Sequence, residues 1–344
     1  MSEPLVSLKH LSKYFSAGTD LLGRTTSVLK AVDDLSLDIF PGETVGLVGE
    51  SGCGKTTVAK MLVNLQTPTA GEVWYGGRDL AKLSAKERRA YCKDIQLIFQ
   101  DPYSSLDPRM TVGDIIAEPI RVNNLLPRRD IDDRVGYLLN CVGLSANFRN
   151  RYAHQFSGGQ RQRVGIARAL AMEPKLIVCD EPVSALDVSI QAQVLNLLSS
   201  LSHEFGLTYL FIAHGLNVVK HVSDRVGVMY LGRLVEVAPK RELYTNPLHP
   251  YTKALLSAIP VTNPAQRGKR ILLKGEVSSP IDPPPGCRFA GRCYAKSQCL
   301  SCRCDTRTPE LVEVAPAHFV ACYLIADPGS ETQGVGASGL SRST

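Results

Sequence analysis

The sequence predicts an α/β fold with a parallel sheet at its centre, and three observations support this prediction. Residues 45–48 (VGLV) form a short apolar run that is followed by a glycine-rich segment and then by a helix-forming stretch. Residues 176–179 (LIVC) form a second apolar run, which is the pattern of a strand buried on both faces. Across residues 173–236, strand-like and helix-like patterns alternate, which indicates strands that lie parallel.

The glycine-rich segment, residues 49–56 (GESGCGKT), fits the pattern G-x-x-x-x-G-K-S/T of a loop that holds nucleoside triphosphate. Its glycines let the backbone approach an anion, and its N–H groups face that anion with the positive end of the next helix. Lys55 is expected to reach the β- and γ-phosphates, and the Thr56 hydroxyl to bind Mg²⁺. The expected nucleotide contacts here are Gly49, Ser51, Gly52, Cys53, Gly54, Lys55, Thr56 and Thr57.

Two carboxylates, Asp180 and Glu181, follow the second apolar run directly. Open α/β sheets bind their ligands at the carboxyl ends of the strands, which is where this pair lies. Asp180 is therefore expected to hold Mg²⁺ through water, and Glu181 to activate the attacking water as a catalytic base. The alternative is a pair of solvated carboxylates that only cap a strand.

Four further short motifs match one known family in their order and spacing. They are residues 157–160 (SGGQ), Gln100 after LIF, residues 184–187 (SALD) and His214 after LFIA. With these motifs, the chain resembles the ATP-binding subunits of ABC transporters over about residues 4–325. In that family they are the signature, the Q-loop, the D-loop and the switch histidine.

The resemblance implies the ABC ATPase form of the P-loop NTPase fold, with a parallel core sheet, an antiparallel β subdomain and a helical subdomain. Helix-period apolar positions at residues 112–122, 130–141 and 159–172 agree with a helical region. The strands before residue 47 are expected to be short and to surround a polar loop at residues 16–27. The expected domains are a nucleotide-binding domain at 1–260, with its helical subdomain at about 101–172, a Cys-rich extension at 261–325 and a disordered tail at 326–344.

The resemblance also implies that two subunits bind ATP between them, head to tail. The signature of one subunit would close over the γ-phosphate held by the phosphate loop of the other, although Ser157 also has the features of an ordinary helix N-cap. The further implied nucleotide contacts are Phe15 (or the adjacent Tyr14), Gln100, Ser157, Gly158, Gly159, Gln160, Asp180 and Asp187. The implied catalytic residues are Lys55, Gln100, Glu181 and His214, and the implied Mg²⁺ ligands are Thr56, Gln100 and Asp180.

One position departs from the family pattern, because Gly215 follows His214 where the family usually has Asp. The contact of His214 with the γ-phosphate is expected to persist. Gly215 cannot make the contribution that an acidic residue makes across the dimer, so the rate of ATP turnover is expected to be altered.

Three segments resemble one branch of the family, the oligopeptide and dipeptide importer ATPases. They are residues 101–109 (DPYSSLDPR), 246–252 (NPLHPYT) and 283–289 (PPPGCRF). The resemblance implies uptake of peptides with two transmembrane permease subunits, a second and usually different ATPase subunit and, indirectly, a solute-binding protein. Nickel, glutathione or another small solute stays open as the cargo, and so does a homodimer. Tyr103 and Leu106 are expected to be exposed anchors for the membrane subunits.

The composition agrees with a peripheral protein. The chain has 344 residues, 44% of them hydrophobic, and its net charge of +6 is dispersed, which does not indicate nucleic-acid binding. No apolar run is long enough to span a bilayer, and we expect no secretory signal, because residues 1–4 (MSEP) lack a basic and an apolar segment. We expect a position on the cytoplasmic face of the inner membrane. A soluble ABC ATPase acting on ribosomes or DNA is disfavoured, because there is one cassette and no long coiled coil between loop and signature.

Cysteines cluster near the C-terminus, where six of the ten lie between positions 287 and 322. In a cytosolic protein, clustered thiols indicate metal rather than disulfides, and four thiolates suit zinc or an iron–sulfur cluster. Resemblance to the tail of peptide-importer ATPases implies a 4Fe–4S cluster on Cys287, Cys293, Cys299 and Cys322, with Cys304 as the alternative third ligand. Free thiols without metal are the remaining alternative.

Overall fold

A computed structural model of the protein describes residues 3–19, 25–259, 270–276, 278–299 and 303–326. Its strands are β1 (Val6–Thr19), β2 (Thr25–Ile39), β3 (Thr44–Val48), β4 (Ala70–Tyr75), β5 (Arg78–Asp79), β6 (Ile95–Ile98), β7 (Leu176–Asp180), β8 (Thr208–Ala213), β9 (Arg225–Tyr230), β10 (Arg233–Pro239), β11 (Val312–Ala315) and β12 (His318–Val320). Its α-helices are α1 (Lys55–Leu62), α2 (Ala85–Asp94), α3 (Val112–Val122), α4 (Arg128–Cys141), α5 (Gly158–Leu170), α6 (Val188–Phe205), α7 (Leu216–Val222), α8 (Lys240–Thr245), α9 (Pro250–Ser257), α10 (Arg303–Thr306) and α11 (Tyr323–Ala326). The tail expected to be disordered lies outside the described residues, apart from Ala326 at the end of α11.

The central sheet has the strand order β11-β12-β10-β9-β3-β8-β7-β6. Strands β9, β3, β8, β7 and β6 run parallel to one another, while β10 pairs antiparallel with β9 and with β12, and β12 pairs antiparallel with β11. Every residue of β3 and of β7 is buried, because helices cover both faces of a parallel sheet. The parallel core that the two apolar runs predict is confirmed.

A second, antiparallel sheet has the order β2-β1-β4-β5 and forms the expected antiparallel part of the fold. The prediction of short strands around a loop at residues 16–27 was wrong, because β1 and β2 are long and pair from Val6 with Ile39 to Thr19 with Thr25. Antiparallel strands are joined by their backbones, so polar side chains do not end them.

Helices α3, α4 and α5 form the helical region and pack against one another. The Thr111 hydroxyl accepts a hydrogen bond from the Asp114 N–H and caps α3, whose buried side chains include Ile115, Ile116 and Ile120. The bounds of these three helices differ by at most two residues at each end from those that the periodicity predicts. The start of α5, with Ser157 as its N-cap, lies against α6, since a Cβ atom at Gly159 would meet the side chain of Ile190.

The C-terminal extension continues the central sheet, because β12 pairs with β10. A fully buried contact accompanies this pairing, with His318 Nε2 lying 2.8 Å from a carboxylate oxygen of Glu236. The same carboxylate accepts the backbone N–H groups of Leu248 and His249. A carboxylate without partners would be costly to bury, but the Glu236 carboxylate has all of these hydrogen bonds. Its contact with His318 therefore helps to hold the extension against the sheet.

Candidate nucleotide-binding site

The phosphate loop joins the end of β3 to the start of α1, the arrangement that its motif requires. Gly54 has a φ of 106°, and a Cβ atom there would lie 2.0 Å from the backbone oxygen of Ala31. At Gly49, a Cβ atom would lie 2.1 Å from the backbone oxygen of Met229. Glycine is therefore required at both positions, and the loop backbone lies tightly between β2 and the end of β9.

Lys55 lies under this loop with its ammonium group buried. Its Nζ donates to the backbone oxygens of Gly49, at 2.8 Å, and Glu50, at 3.1 Å. Both carbonyls accept hydrogen bonds from the cation. The ammonium is thus held at the loop, where it can interact with phosphate oxygens.

The expected Mg²⁺ ligands Thr56 and Asp180 lie together. The Thr56 hydroxyl donates to the Asp180 carboxylate at 3.1 Å, although 124 positions separate the two residues. Burial raises the pKa of Asp180, and the neighbouring Glu181 adds to that effect, while the Thr56 hydrogen bond opposes it. Mg²⁺ prefers oxygen ligands, so the Thr56 hydroxyl and the Asp180 carboxylate, acting through water, would be suited to hold it.

Three predicted catalytic residues converge at the end of β7. The Glu181 carboxylate lies 2.6 Å from Nε2 of His214, and the Gln100 amide donates to the same carboxylate oxygen at 2.7 Å. Glu181 is buried and adopts a left-handed backbone conformation with φ of 51°. A buried carboxylate with one imidazole and one amide partner is suited to accept a proton from water.

Lys55, Thr56 and the three catalytic candidates all line one cavity of about 280 Å³, whereas Asp180 is not in its lining. It is lined by Phe15, Leu29, Ala31, Ser51, Gly52, Gly54, Lys55, Thr56, Thr57, Gln100, Glu181 and His214. Of the two aromatic candidates for stacking on adenine, Phe15 lines the cavity, whereas the Tyr14 hydroxyl donates to the Asp33 carboxylate. The geometry thus favours Phe15.

The signature and D-loop residues are absent from the described lining of this cavity. Ser157 is exposed, and its hydroxyl accepts from the Gln160 N–H while the Gln160 side chain accepts from the Ser157 N–H. Asp187 is also exposed. Gly159 has a packing role within the chain, because a Cβ atom there would lie 2.4 Å from Cγ2 of Ile190.

The loop after Gln100 differs in part from the prediction. Tyr103 is exposed, and the Arg161 guanidinium lies 4.1 Å from the centre of its ring. Leu106 is buried in the core, so its prediction as an exposed anchor was wrong. The Arg168 side chain donates to the backbone oxygen of Ser105 at 2.7 Å, which turns this part of the loop toward α5.

Comparisons with known proteins place this site in a family. The chain is 51% identical over 327 residues to the oligopeptide transport ATP-binding protein AppF of Bacillus subtilis (strain 168), covering 94% of this chain and 98% of AppF. The chain belongs to the family of ABC transporter ATP-binding proteins. As an ABC transporter subunit it hydrolyses ATP, and the fold implies use of Mg²⁺.

Other relatives of this ABC ATPase agree. Residues 32–184 match the family described as "ABC transporter", and residues 235–299 match "Oligopeptide/dipeptide transporter, C-terminal region". It is 52% identical over 330 residues to the oligopeptide transport ATP-binding protein OppF of Salmonella typhimurium, covering 94% of this chain and 97% of OppF. A dimeric post-hydrolysis structure of the ATP-binding cassette MJ0796, bound to ADP and Pi, superposes with a TM-score of 0.61 at 30% identity, covering 69% of this chain and 99% of that one. The ABC ATPase fold that the motifs predict is confirmed.

Four cysteines of the extension line a small cavity of about 20 Å³. Its lining includes Cys287, Cys293, Cys304 and Cys322, so it contains Cys304 where the sequence interpretation favoured Cys299. The Sγ atoms of Cys299 and Cys304 lie 3.3 Å apart, while Cys302 is outside the described residues. Burial raises the pKa of all four lining thiols.

The described residues were also compared with the requirements of a metal site and of a membrane-spanning helix. Over residues 3–19, 25–259, 270–276, 278–299 and 303–326, no group of three or more His, Cys, Asp or Glu residues is arranged to hold a metal ion. The 4Fe–4S prediction therefore has no support in this arrangement. Within those same ranges, no helix is both long and apolar enough to cross a membrane.

Two contacts to the site were missed at the level of sequence. Arg292 bonds the carboxylate of Glu50 in the phosphate loop, and Arg288 bonds Asp33 beside Tyr14. Both arginines lie in the segment between Cys287 and Cys293. The sequence shows only that two arginines lie between two cysteines, and this pattern does not indicate which carboxylates the arginines contact.

Proposed function

We propose that this chain is the ATP-hydrolysing subunit of an ABC importer that takes up oligopeptides or dipeptides. The observation that carries the proposal is identity of about half over nearly the whole chain to oligopeptide transport ATP-binding proteins, C-terminal region included. Two permease subunits form the membrane path, and the chain lies against them on the cytoplasmic face of the inner membrane.

The cavity residues take the following roles in hydrolysis. Lys55 holds the β- and γ-phosphate oxygens, and Thr56 and Asp180 bind Mg²⁺, with Gln100 completing the protein contacts. A water oxygen attacks the γ-phosphorus while the bond to the β–γ bridging oxygen breaks, and Glu181 accepts the proton of that water. His214 contacts the γ-phosphate. The products are ADP and inorganic phosphate.

A second subunit completes the site. Ser157 and the residues that follow it open α5, so they offer N–H groups and a positive helix end to the γ-phosphate bound by the partner. Asp187 lies at the same dimer surface. The partner is a second, different ATPase, and a solute-binding protein delivers the peptide to the permeases. Exposed Ser157 and Asp187 support this arrangement, because they are accessible to a partner.

The cysteine cavity is a candidate metal centre in this proposal. Thiols are the donors that zinc and 4Fe–4S clusters prefer, so binding would require these four to move closer together than they are here, with Cys304 as the third ligand in place of Cys299. Its role is structural, since the thiols hold the two ends of the segment 287–293. Iron, acid-labile sulfide and zinc are measured on the full chain purified without oxygen, with Cys293→Ser as the variant and exposed Cys92→Ser as the control. Metal in neither the native chain nor the control would contradict a metal centre.

The import proposal is tested by uptake of labelled peptides in cells that lack this chain. Cells supplied with the native chain are expected to take up peptide, and cells supplied with Glu181→Gln are not. The matched control is Glu204→Gln, which removes an exposed carboxylate on α6. Uptake of nickel or glutathione, with no peptide uptake, would contradict the proposed cargo but not the ATPase. Isolation of the tagged chain without permease subunits would contradict the transport role.

A further inference from the structure

An ion pair ties the phosphate loop to the C-terminal extension. Nη1 of Arg292 donates to both carboxylate oxygens of Glu50, at 2.9 and 3.0 Å. The Arg292 side chain is 13% exposed and that of Glu50 29%, so solvent screens this pair only in part. The Glu50 N–H also donates to the Tyr251 hydroxyl at 3.1 Å. The second residue of the loop is thus held through both backbone and side chain.

A second tie runs from the extension to the adenine side of the cavity. The buried guanidinium of Arg288 donates to the carboxylate of Asp33, which also accepts from the Tyr14 hydroxyl and from Arg233. Burial acts to raise the pKa of Asp33, but the Tyr14 hydrogen bond and the two arginine charges outweigh it and hold that pKa below its ordinary value. Tyr14 directly precedes Phe15, so this network fixes the strand that carries the stacking ring.

Arg288 also reaches the phosphate loop through one turn of backbone. Its other terminal nitrogen donates to the backbone oxygen of Leu231. The next N–H, that of Gly232, donates to the backbone oxygen of Cys53 at 2.9 Å, and the Gly232 oxygen accepts from the Asp33 N–H at 2.9 Å. The turn between β9 and β10 is therefore clamped between the extension, the loop and β2.

The negative charge of Glu50 means that its ion pair with Arg292 can affect the affinity for ATP. A carboxylate in an anion-binding loop repels a triphosphate, and the repulsion is strong where the site is partly desolvated. Arg292 offsets that charge, and its hydrogen bonds to both carboxylate oxygens restrain the Glu50 side chain. This effect concerns ATP affinity and does not depend on the cargo.

We propose that Arg292 and Arg288 are positioning residues for the nucleotide, through which the C-terminal extension sets the affinity for ATP. Arg292 neutralises Glu50 and holds the phosphate loop, while Arg288 holds Asp33 and the turn behind the loop. Because both lie between Cys287 and Cys293, any change that displaces this cysteine-bounded segment also changes ATP affinity.

The test measures ATP and ADP affinity of the full chain by calorimetry, with thermal unfolding without nucleotide as a separate readout. In Arg292→Gln, the Kd for MgATP is expected to rise about tenfold, with a smaller rise for ADP because it carries less charge. Arg307→Gln is the matched control, because Arg307 is an exposed arginine of the same extension. The ATP penalty is expected to shrink at high salt.

Two further variants separate charge cancellation from general stabilisation. Arg292→Lys keeps the cation and is expected to bind ATP almost as the native chain does. The double variant Glu50→Gln with Arg292→Gln is expected to recover most of the lost affinity, since the uncompensated carboxylate is gone. If Arg292→Gln does not fold, Glu50→Gln alone provides the measurement, and it is expected to tighten ATP binding about twofold.

Several results would overturn the proposal. Equal Kd values for Arg292→Gln and Arg307→Gln would show that the ion pair has no effect on nucleotide. An equal loss for ATP and ADP, matched by a lower Tm and not recovered in the double variant, would assign Arg292 a structural role only. In the single-variant measurement, weaker ATP binding by Glu50→Gln would contradict charge cancellation.

Discussion

The carboxylate of Glu181 lies 2.6 Å from Nε2 of His214, and both residues face the cavity that also contains Lys55. Glu181 is buried at the end of β7, whereas the His214 side chain is 44% exposed at the end of β8. The pair therefore places a candidate base at the inner wall and its partner at the rim. A γ-phosphate that entered from the open side would reach His214 before Glu181, which lies deeper.

Replacing the base is expected to separate hydrolysis from binding. Glu181→Gln keeps the shape of the side chain and can still bond His214, but a neutral amide cannot accept the proton of the attacking water. We expect turnover to fall by about 10²- to 10⁴-fold with little change in the Kd for ATP. Phosphate release and calorimetry measure the two quantities, with Glu204→Gln as control. Near-native turnover in Glu181→Gln would assign the base to another residue.

Removing the loop ammonium is expected to weaken nucleotide binding itself. Lys55→Ala deletes a buried cation whose hydrogen bonds to phosphate are charge-assisted, so ATP affinity is expected to fall roughly ten- to a hundredfold. Lys60→Ala on the exposed side of α1 removes the same charge in the same helix and serves as control. Equal ATP affinities of these two variants by calorimetry would argue against a phosphate contact at Lys55.

The parts of this molecule that follow local rules were predictable from sequence. The apolar runs of β3 and β7 and the cap at Ser157 each depend on neighbours in the chain, and the phosphate loop is recognised by a contiguous motif. Contacts between distant segments were not predictable in this way. The Arg292–Glu50 pair spans 242 positions, and its register depends on how the whole extension docks.

Leu106 illustrates a second kind of failure. A polar, turn-rich segment predicts exposure for all its members, but the loop folds back so that Leu106 enters the core while Tyr103 stays outside. The hydrogen bond from Arg168 to the backbone of Ser105 fixes that turn, and it comes from a helix 63 positions away. Burial of a single apolar residue in a loop is thus decided by tertiary contacts, not by local composition.

The signature serine is expected to have a stability role and a separate catalytic role. Ser157→Ala removes the cap of α5 and is expected to lower the free energy of unfolding by about 1 kcal/mol. Ser145→Ala removes a comparable side-chain cap, on the short helix Ala146–Asn150, and controls for that loss. In the assembled transporter, ATP turnover is expected to fall much further in Ser157→Ala. Equal ATP turnover in Ser157→Ala and Ser145→Ala would show that Ser157 caps its helix and has no catalytic role.

A buried histidine is expected to make stability fall in mild acid. His249 caps α9 by accepting the Tyr251 N–H at Nδ1, and burial, with a smaller contribution from Lys253, lowers its pKa to about 3. Between about pH 6.5 and pH 3, the unfolded chain binds a proton at His249 that the folded chain does not, so stability decreases as the pH falls through this range. At pH 5.5, which is one unit below the ordinary histidine pKa, the free energy of unfolding is expected to be lower by about 1.4 kcal/mol.

His249→Asn tests this directly, because asparagine keeps a capping acceptor but does not titrate. Denaturant unfolding at pH 7 and at pH 5.5 measures the change, and the pH-dependent loss in His249→Asn is expected to be smaller than in the native chain by that amount. The exposed His221→Asn is expected to behave as the native chain does. If His249→Asn loses as much stability between the two pH values as His221→Asn, the buried imidazole accepts its proton in the folded state and the cap is not what acid disrupts.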